Sequence, residues 1–528
     1  MVNVKVKKLV EVILAPRNFG YLLFLFFLIF ILRFNSLETF FERDEGEYAY
    51  SAWIMKNGGV LYGDAFLQKP PMIVYTYYFA QFIKDGIVMT RVLAFVFVFL
   101  SSLLVGYIAR YEFGKRYFWL SAVIFGVIVN FPGFTPFAAN TEIFMLLPML
   151  GVIAIYEKYR FSNKNYWHLI AGSLAMIALM YKPICILVVG FVFLVWAVEI
   201  VKKNNDIKDL FYRGMFWLFG MLIAGLLILL PIILSGQLRP FWEEVVVFNR
   251  SYAISWGWDL GAFVFQMKRI AKYYWILVII TPVFLLARPK RWWFLIGCFV
   301  FSLLSVYQSY IGHYYLLVVP FWAILIGWII CYFCDAEVFK KITYRREMFL
   351  GFFMVFMLWG YKEQFSLTGD QLGVWVYGNL NPFFEAQTIA HELARFTSST
   401  DRVFIAGSEP EILYYAKRKS MSRFVITYPL IVETPLRLSY QKEIIREFET
   451  SFPKAIVYSQ REYSGLWNEE SPRLFIDYLN SLIENEYELA GGYVWKNGRG
   501  YWSNQLSEEE KKNSSLLLYI LRDEKNKS

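Results

Sequence analysis

Eleven apolar runs dominate this chain, most of them separated by a few polar residues. They are 19–35, 87–109, 117–132, 142–157, 166–181, 183–201, 214–235, 272–288, 292–308, 314–333 and 347–361. A bilayer's hydrocarbon core takes about 20 residues of helix to cross. Within lipid each backbone polar group must be satisfied inside its own helix. Several runs fall short of that length, so their ends extend into the aromatic flanks. Of the residues, 57% are hydrophobic, 20% aromatic and only 18% charged. Soluble domains carry about 45–50% apolar and about 25% charged residues. The pattern predicts a mostly α-helical polytopic membrane protein of about eleven spans, with a soluble portion attached.

The basic N-terminus (Lys5, Lys7, Lys8, Arg17) precedes the first run, and no small-residue cleavage site follows it. That combination reads as an uncleaved first helix. The segment 71–83 is short for a span and rich in tyrosine, and it reads as a helix lying in the membrane interface. Cytoplasmic loops carry the excess of Lys and Arg. If 71–83 does not cross, Arg110/Lys115/Arg116, Lys158/Arg160/Lys164, Lys202/Lys203/Lys208/Arg213, Arg288/Lys290/Arg291 and Lys340/Lys341/Arg345/Arg346 all fall on one side. The loops 36–86, 132–141, 236–271 and 308–313, the turn at Tyr181-Lys182-Pro183 and the chain from 362 onward then lie outside. These clusters account for the net charge of +10. No basic face with interleaved readout residues exists, which excludes nucleic acid as a partner. The four cysteines (Cys185, Cys298, Cys331, Cys334) lie in or beside apolar runs. The C-x-x-C of Cys331 and Cys334 lacks the second pair or histidines that a zinc site requires.

Residues 1–361 form the predicted membrane domain and 362–528 a small α/β domain. In the latter, 402–406 and 454–458 read as strands, and 409–417 and 474–487 as helices. A hairpin is expected over 493–501, because Asn497-Gly498 favours a tight turn. The tail beyond Glu508 is charged and reads as disordered, apart from an apolar piece at 516–521.

The outer loop after the first run holds Glu42-Arg43-Asp44-Glu45-Gly46-Glu47, and then Gln68-Lys69-Pro70-Pro71. Charges beside a bilayer are costly and usually functional. A carboxylate takes a proton from a hydroxyl, and a lysine holds a phosphate. Asp44 and Glu45 are the catalytic candidates; the competing reading is a solvated loop. Lys69, its direction fixed by two prolines, is a phosphate ligand or a snorkelling interfacial lysine. Glu47 and Glu142 are candidates for donor, acceptor or metal contact. Glu142 is equally explained as a first-turn acid in a helix that Thr141 would cap. Lys182 is basic on the outer side, against the trend, which argues for an anion. His313, in the turn 312–315, is the last candidate for the lipid phosphate.

The Asp44-Glu45 pair, Gly-Gly-Val-Leu-Tyr-Gly-Asp at 58–64 and Lys-Pro-Pro at 69–71 together resemble the GT-C glycosyltransferases. The branch is that of the protein O-mannosyltransferases and the lipid A aminoarabinose transferases. Asn-Thr-Glu at 140–142, Tyr-Lys-Pro at 181–183, Gly-His-Tyr-Tyr at 312–315 and the stretch 402–411 look similar to the same subgroup. The resemblance implies a polyprenyl-phosphate sugar donor and a reaction outside the plasma membrane that inverts the anomeric centre. It implies Asp44 as general base and Lys69 as ligand of the leaving lipid phosphate. Aminoarabinose transferases have a metal-binding acid before Lys-Pro, where this chain has Gln68. No cofactor is therefore firmly expected, and a divalent cation (Mg, Mn or Zn) is left open. The acceptor is a lipid-linked glycan, a cell-wall polymer or a protein. The alternatives are a transporter or flippase of lipid-linked sugars and a non-catalytic membrane binding protein. Mid-helix charges and broken helices would favour transport.

Overall fold

The computed structural model describes residues 16–135, 137–204, 207–255, 259–284, 292–335, 342–378, 380–464, 469–496 and 499–522. The basic residues at 5–8, 288–291 and 340–341, the Asn497-Gly498 turn and the tail from 523 lie outside them. The chain divides into two compact units. The first comprises Met1–Leu37, Arg91–Ile228 and Trp258–Thr368; the second comprises Glu38–Thr90, Leu229–Gly257 and Gly369–Ser528.

Each of the eleven apolar runs contributes a helix. In chain order these are Pro16–Phe34, Ile87–Phe113, Tyr117–Ile128, Thr141–Tyr159, Tyr166–Tyr181, Ile186–Asn204, Ile207–Leu234, Leu260–Ile280, Trp292–Leu304, Val319–Cys334 and Arg345–Trp359. Three stretches among the described residues are long and apolar enough to cross a membrane: Ile87–Phe113, Pro183–Lys202 and Ile207–Leu234. One helix departs clearly from its run. Leu260–Ile280 is kinked at Tyr274 (φ −127°, ψ 29°), and the part before the kink lies inside the expected outer loop, with Asp259 capping it through the Gly261 amide at 2.6 Å. Lys268, Arg269 and Lys272 interrupt its apolar pattern, which hid the early start. Two glycines let helices of the first unit cross closely. A Cβ on Gly172 would lie 1.9 Å from the Trp217 carbonyl, and one on Gly220 would lie 2.0 Å from that of Leu169. Small residues at such crossings let membrane helices approach backbone to backbone.

The second unit carries a six-stranded mixed sheet, ordered β2-β1-β3-β6-β4-β5. Its strands are β1 (Arg402–Ala406), β2 (Lys419–Ser420), β3 (Ala455–Ser459), β4 (Tyr487–Lys496), β5 (Arg499–Ser503) and β6 (Ser514–Leu521). β1 is parallel to β2 and β3, and the remaining pairs are antiparallel. The expected strands at 402–406 and 454–458, the helices Pro410–Ala416 and Leu474–Glu486 and the hairpin pairing are all present. The expected disorder beyond Glu508 is not found among the described residues 509–522. Glu508–Asn513 is a helix with a capping box between Ser507 and Glu510, and β6 lies inside the sheet between β3 and β4. Leu516, Leu517 and Leu518 are buried, so apolar burial outweighs the charged neighbours that suggested a loose tail.

The core of this unit draws on all three of its stretches. Phe66 and Phe248 are fully buried among Phe404, Phe424, Ile444 and Phe448. The Phe66 amide also donates to the Arg423 carbonyl at 2.7 Å. Residues 38–90 are therefore part of a folded α/β body. Within them Met72–Ile83 is a helix that buries Ile73, Val74 and Tyr77 and exposes Phe79, Phe82 and Ile83.

Candidate functional site

The acid-rich stretch opens a helix, Arg43–Lys56. Glu42 is its N-cap and accepts from the Glu45 amide at 3.3 Å. Asp44 and Glu45 occupy the first turn, where carboxylates complement the helix dipole. Asp44 is half-buried, whereas Glu45 and Glu47 are buried. Burial pushes the Glu47 carboxyl up to about 8; Lys69 and Arg43 oppose that rise and Asp44 adds to it. Asp44 and Lys69, both in the second unit, therefore lie within electrostatic reach of Glu47.

The Lys69 loop is pinned at three successive residues. The Leu67 amide donates to Glu244 Oε2 at 2.7 Å. The Gln68 carbonyl accepts from Asn249 Nδ2 at 2.5 Å, and the Lys69 carbonyl accepts from the Tyr62 hydroxyl at 2.9 Å. Glu244 is itself buried, hydrogen-bonded to Arg423 and raised well above the carboxylate range by burial. Arg423 also grips Glu443, with its Nε 2.6 Å from Oε1. The Lys69 side chain is buried.

Sequence reasoning gave Arg43 no role, yet it ties the helix start to the C-terminal stretch. Its Nε donates to the Ser408 carbonyl at 2.7 Å, and its Nη2 donates to Asn381 Oδ1 at 2.9 Å and to the Tyr463 carbonyl at 2.8 Å. The Phe41 amide donates to the Tyr415 hydroxyl at 2.9 Å, and the Ser420 amide to the Tyr50 hydroxyl at 2.7 Å. Gly46 lies directly against Glu411. Two further acids, Glu409 and Glu411, are fully buried here. Burial lifts Glu409 to about 7, against Arg43 and the Ser464 hydroxyl, and lifts Glu411 well above its ordinary value. Their only advance signal was the Gly-Ser-Glu-Pro-Glu stretch at 407–411.

The first unit gathers the other three candidates. Glu142 is buried in the first turn of Thr141–Tyr159, and the Lys182 ammonium donates to its Oε1. His313 Nε2 lies 3.8 Å from the same oxygen, and its Nδ1 lies 3.2 Å from the Thr135 hydroxyl. The Lys182 ammonium also sits 3.5 Å from the centroid of the Tyr314 ring. The anion that Lys182 called for is present in the protein itself. Thr141 does not cap the helix: Asn140 is the N-cap residue, and the Thr141 hydroxyl donates to Glu142 Oε2 at 3.0 Å. Arg269 escaped the sequence reading; its Nη1 would lie 3.1 Å from a Cβ on Gly312, beside His313.

Among the described residues, no three His, Cys, Asp or Glu side chains are grouped to hold a metal ion. Gln68, an amide rather than an acid, stands beside Lys69 at the position where a carboxylate would extend such a set.

No protein-family model matches the sequence, and no curated protein matches it. Solved structures do match in shape. ArnT from Cupriavidus metallidurans bound to undecaprenyl phosphate superposes with a TM-score of 0.58 at 12% identity, over 93% of this chain and 98% of that one. Its apo state gives 0.56 at 13%, over 92% and 98%. The Archaeoglobus fulgidus oligosaccharyltransferase tethered to an acceptor peptide gives 0.51 at 13%, over 94% of this chain and 74% of that one. At such identities the likeness establishes the fold. The chain shares the fold of these two proteins over most of its length.

Proposed function

We propose that this protein is an integral membrane glycosyltransferase. It transfers a hexose or pentose from a polyprenyl-phosphate-linked donor to an extracytoplasmic acceptor, with inversion. The observation that carries this reading is the GT-C fold, matched over nearly the whole length of an ArnT structure that holds undecaprenyl phosphate. In support, that fold comes with a half-exposed Asp44 at a helix start, in the field that links Glu47 and Lys69. The active site and the sheet-bearing C-terminal portion face the extracytoplasmic side of the plasma membrane, and about eleven helices form the spans. The acceptor is a lipid-linked glycan, a cell-wall polymer or a protein.

A lipid phosphate is already a good leaving group. The chemistry therefore needs a base for the acceptor hydroxyl, a cation for the departing phosphate and fixed geometry. Asp44 is the proposed base, with Glu45 as its neighbouring carboxylate. Lys69 neutralises the phosphate, and the pinning of Leu67, Gln68 and Lys69 fixes where that charge sits. Glu47 remains protonated at neutral pH and orients the donor or acceptor by hydrogen bonding. In the first unit, the Lys182 ammonium, paired with Glu142, and the His313 imidazole beside it are the proposed polar groups for lipid phosphate.

The test uses purified protein with radiolabelled polyprenyl-phosphate hexoses, with and without EDTA. Wild type should release sugar from the lipid, and Asp44→Asn should lose release while remaining folded. Wild-type turnover in Asp44→Asn refutes the base. Failure of the wild type to consume any such donor refutes the donor class, and a lipid-flipping assay then tests the transport reading.

A further inference from the structure

We propose that the second unit carries a saccharide-binding site in the cavity lined by Tyr252 and Tyr428, where the acceptor glycan is held. Only the word acceptor rests on the glycosyltransferase reading; the chemistry of the cavity stands by itself. The cavity measures about 300 Å³, the lower end of the range for small-molecule sites. Its rings are rigidly backed. Tyr252 and Tyr428 meet edge to face with centroids 5.7 Å apart. Behind them the fully buried Phe248 stacks on Tyr252 at 6.3 Å and meets Tyr428 at 6.0 Å. Glu433, Arg437 and Glu470 supply the polar wall. Arg437 is held in place, with its Nη1 donating to the Ile431 and Glu470 carbonyls at 3.2 Å each.

The mixture selects the ligand class. The C–H faces of a pyranose pack on flat aromatic surface, and its hydroxyls need both donors and acceptors. Tyrosine rings, carboxylates and a guanidinium supply both. Two carboxylates against one guanidinium disfavour a phosphate, and a charged rim disfavours an acyl chain. A neutral glycan fits all three conditions.

The experiment is saturation-transfer NMR on the full-length protein in detergent, with cellobiose, chitobiose and mannobiose as probes. At least one probe should receive saturation. Tyr428→Ala should weaken its binding by about tenfold, the loss of one aromatic anchor, and Tyr428→Phe should retain it. Glu433→Gln, at an exposed position, should weaken binding without changing the thermal midpoint, and it decides the matter if Tyr428→Ala does not fold. Binding of none of the three probes, or equal binding by wild type and Glu433→Gln, overturns the site. Donor release is measured in parallel. Release without saccharide binding overturns this inference alone, and saccharide binding without release supports the cavity while overturning the transferase reading.

Discussion

Replacing Gly46 by alanine tests whether the acid-rich helix is wedged against the C-terminal stretch. In an isolated helix the change is favourable, because glycine costs roughly 0.5–1 kcal/mol relative to alanine. Here the added Cβ would lie 2.7 Å from Glu411 Cβ, 2.7 Å from its amide nitrogen and 2.9 Å from its Cα. These atoms belong to the main chain and first side-chain carbon of the Pro410–Ala416 helix, so no rotamer change clears them. Overpacking of this kind costs about 1–3 kcal/mol. Subtracting the propensity gain leaves a net loss of up to about 2.5 kcal/mol, with about 1 kcal/mol as the central value, which for a body of this size lowers the thermal midpoint by about 2–4 °C. The assay is thermal unfolding in detergent, with donor turnover measured on the same samples. Gly190→Ala is the control: no atom lies within 4 Å of its added Cβ, and it sits within the Ile186–Asn204 helix. That variant should match or exceed wild type. An unchanged midpoint and full turnover for Gly46→Ala would refute the wedge.

Glu47→Gln removes a group whose carboxyl rises on folding from 4.5 to about 8. Such a group contributes its full stability below pH 4.5 and loses it as pH rises toward 8, at about 1.4 kcal/mol per pH unit. Denaturation from pH 5 to 8 should show the variant gaining on wild type; parallel curves refute the shift. Phe66→Ala opens a hole in the second unit's core and should cost about 3–5 kcal/mol, read by urea unfolding. Lys182→Met leaves Glu142 buried without its ammonium partner and should cost about 3–5 kcal/mol. The double variant with Glu142→Gln should recover most of that loss, and a double-mutant cycle checks the coupling.

The apolar helices were legible because a long apolar run allows few other structures. The C-terminal strands were legible for a similar reason: β1 and β3 are short β-branched runs bounded by polar residues. What the sequence hid were long-range partners. Phe66 sits in an ordinary loop sequence, and nothing local says that it fills a hole among Phe248, Phe404 and Phe424. Arg43 reads as one charge among many until its three acceptors, at Asn381, Ser408 and Tyr463, are brought to it by the fold. The charged residues around 508–513 concealed β6, whose strand character comes from neighbours on both edges. The candidate acids stood out because they crowd one short stretch, but their burial was not readable. Helix phase and packing decide that.

That phase separates the two adjacent carboxylates. Successive residues of a helix point about 100° apart, so Asp44 and Glu45 cannot present themselves to one substrate in the same way. Asp44 keeps partial access to solvent, whereas Glu45 is fully buried beside a capping turn that uses its own amide. General-base catalysis contributes about 10²–10⁴-fold and requires an accessible group. Asp44→Asn should therefore lower turnover by about that factor and leave the thermal midpoint near wild type. Glu45→Gln should show the opposite balance, with a lowered midpoint and a smaller loss of turnover, since its first effect is on how the helix start is packed. The two variants are compared on paired measurements of midpoint and single-turnover rate. If Glu45→Gln abolishes turnover at an unchanged midpoint while Asp44→Asn remains active, the roles are reversed, and exposure is the wrong guide to the base in this fold.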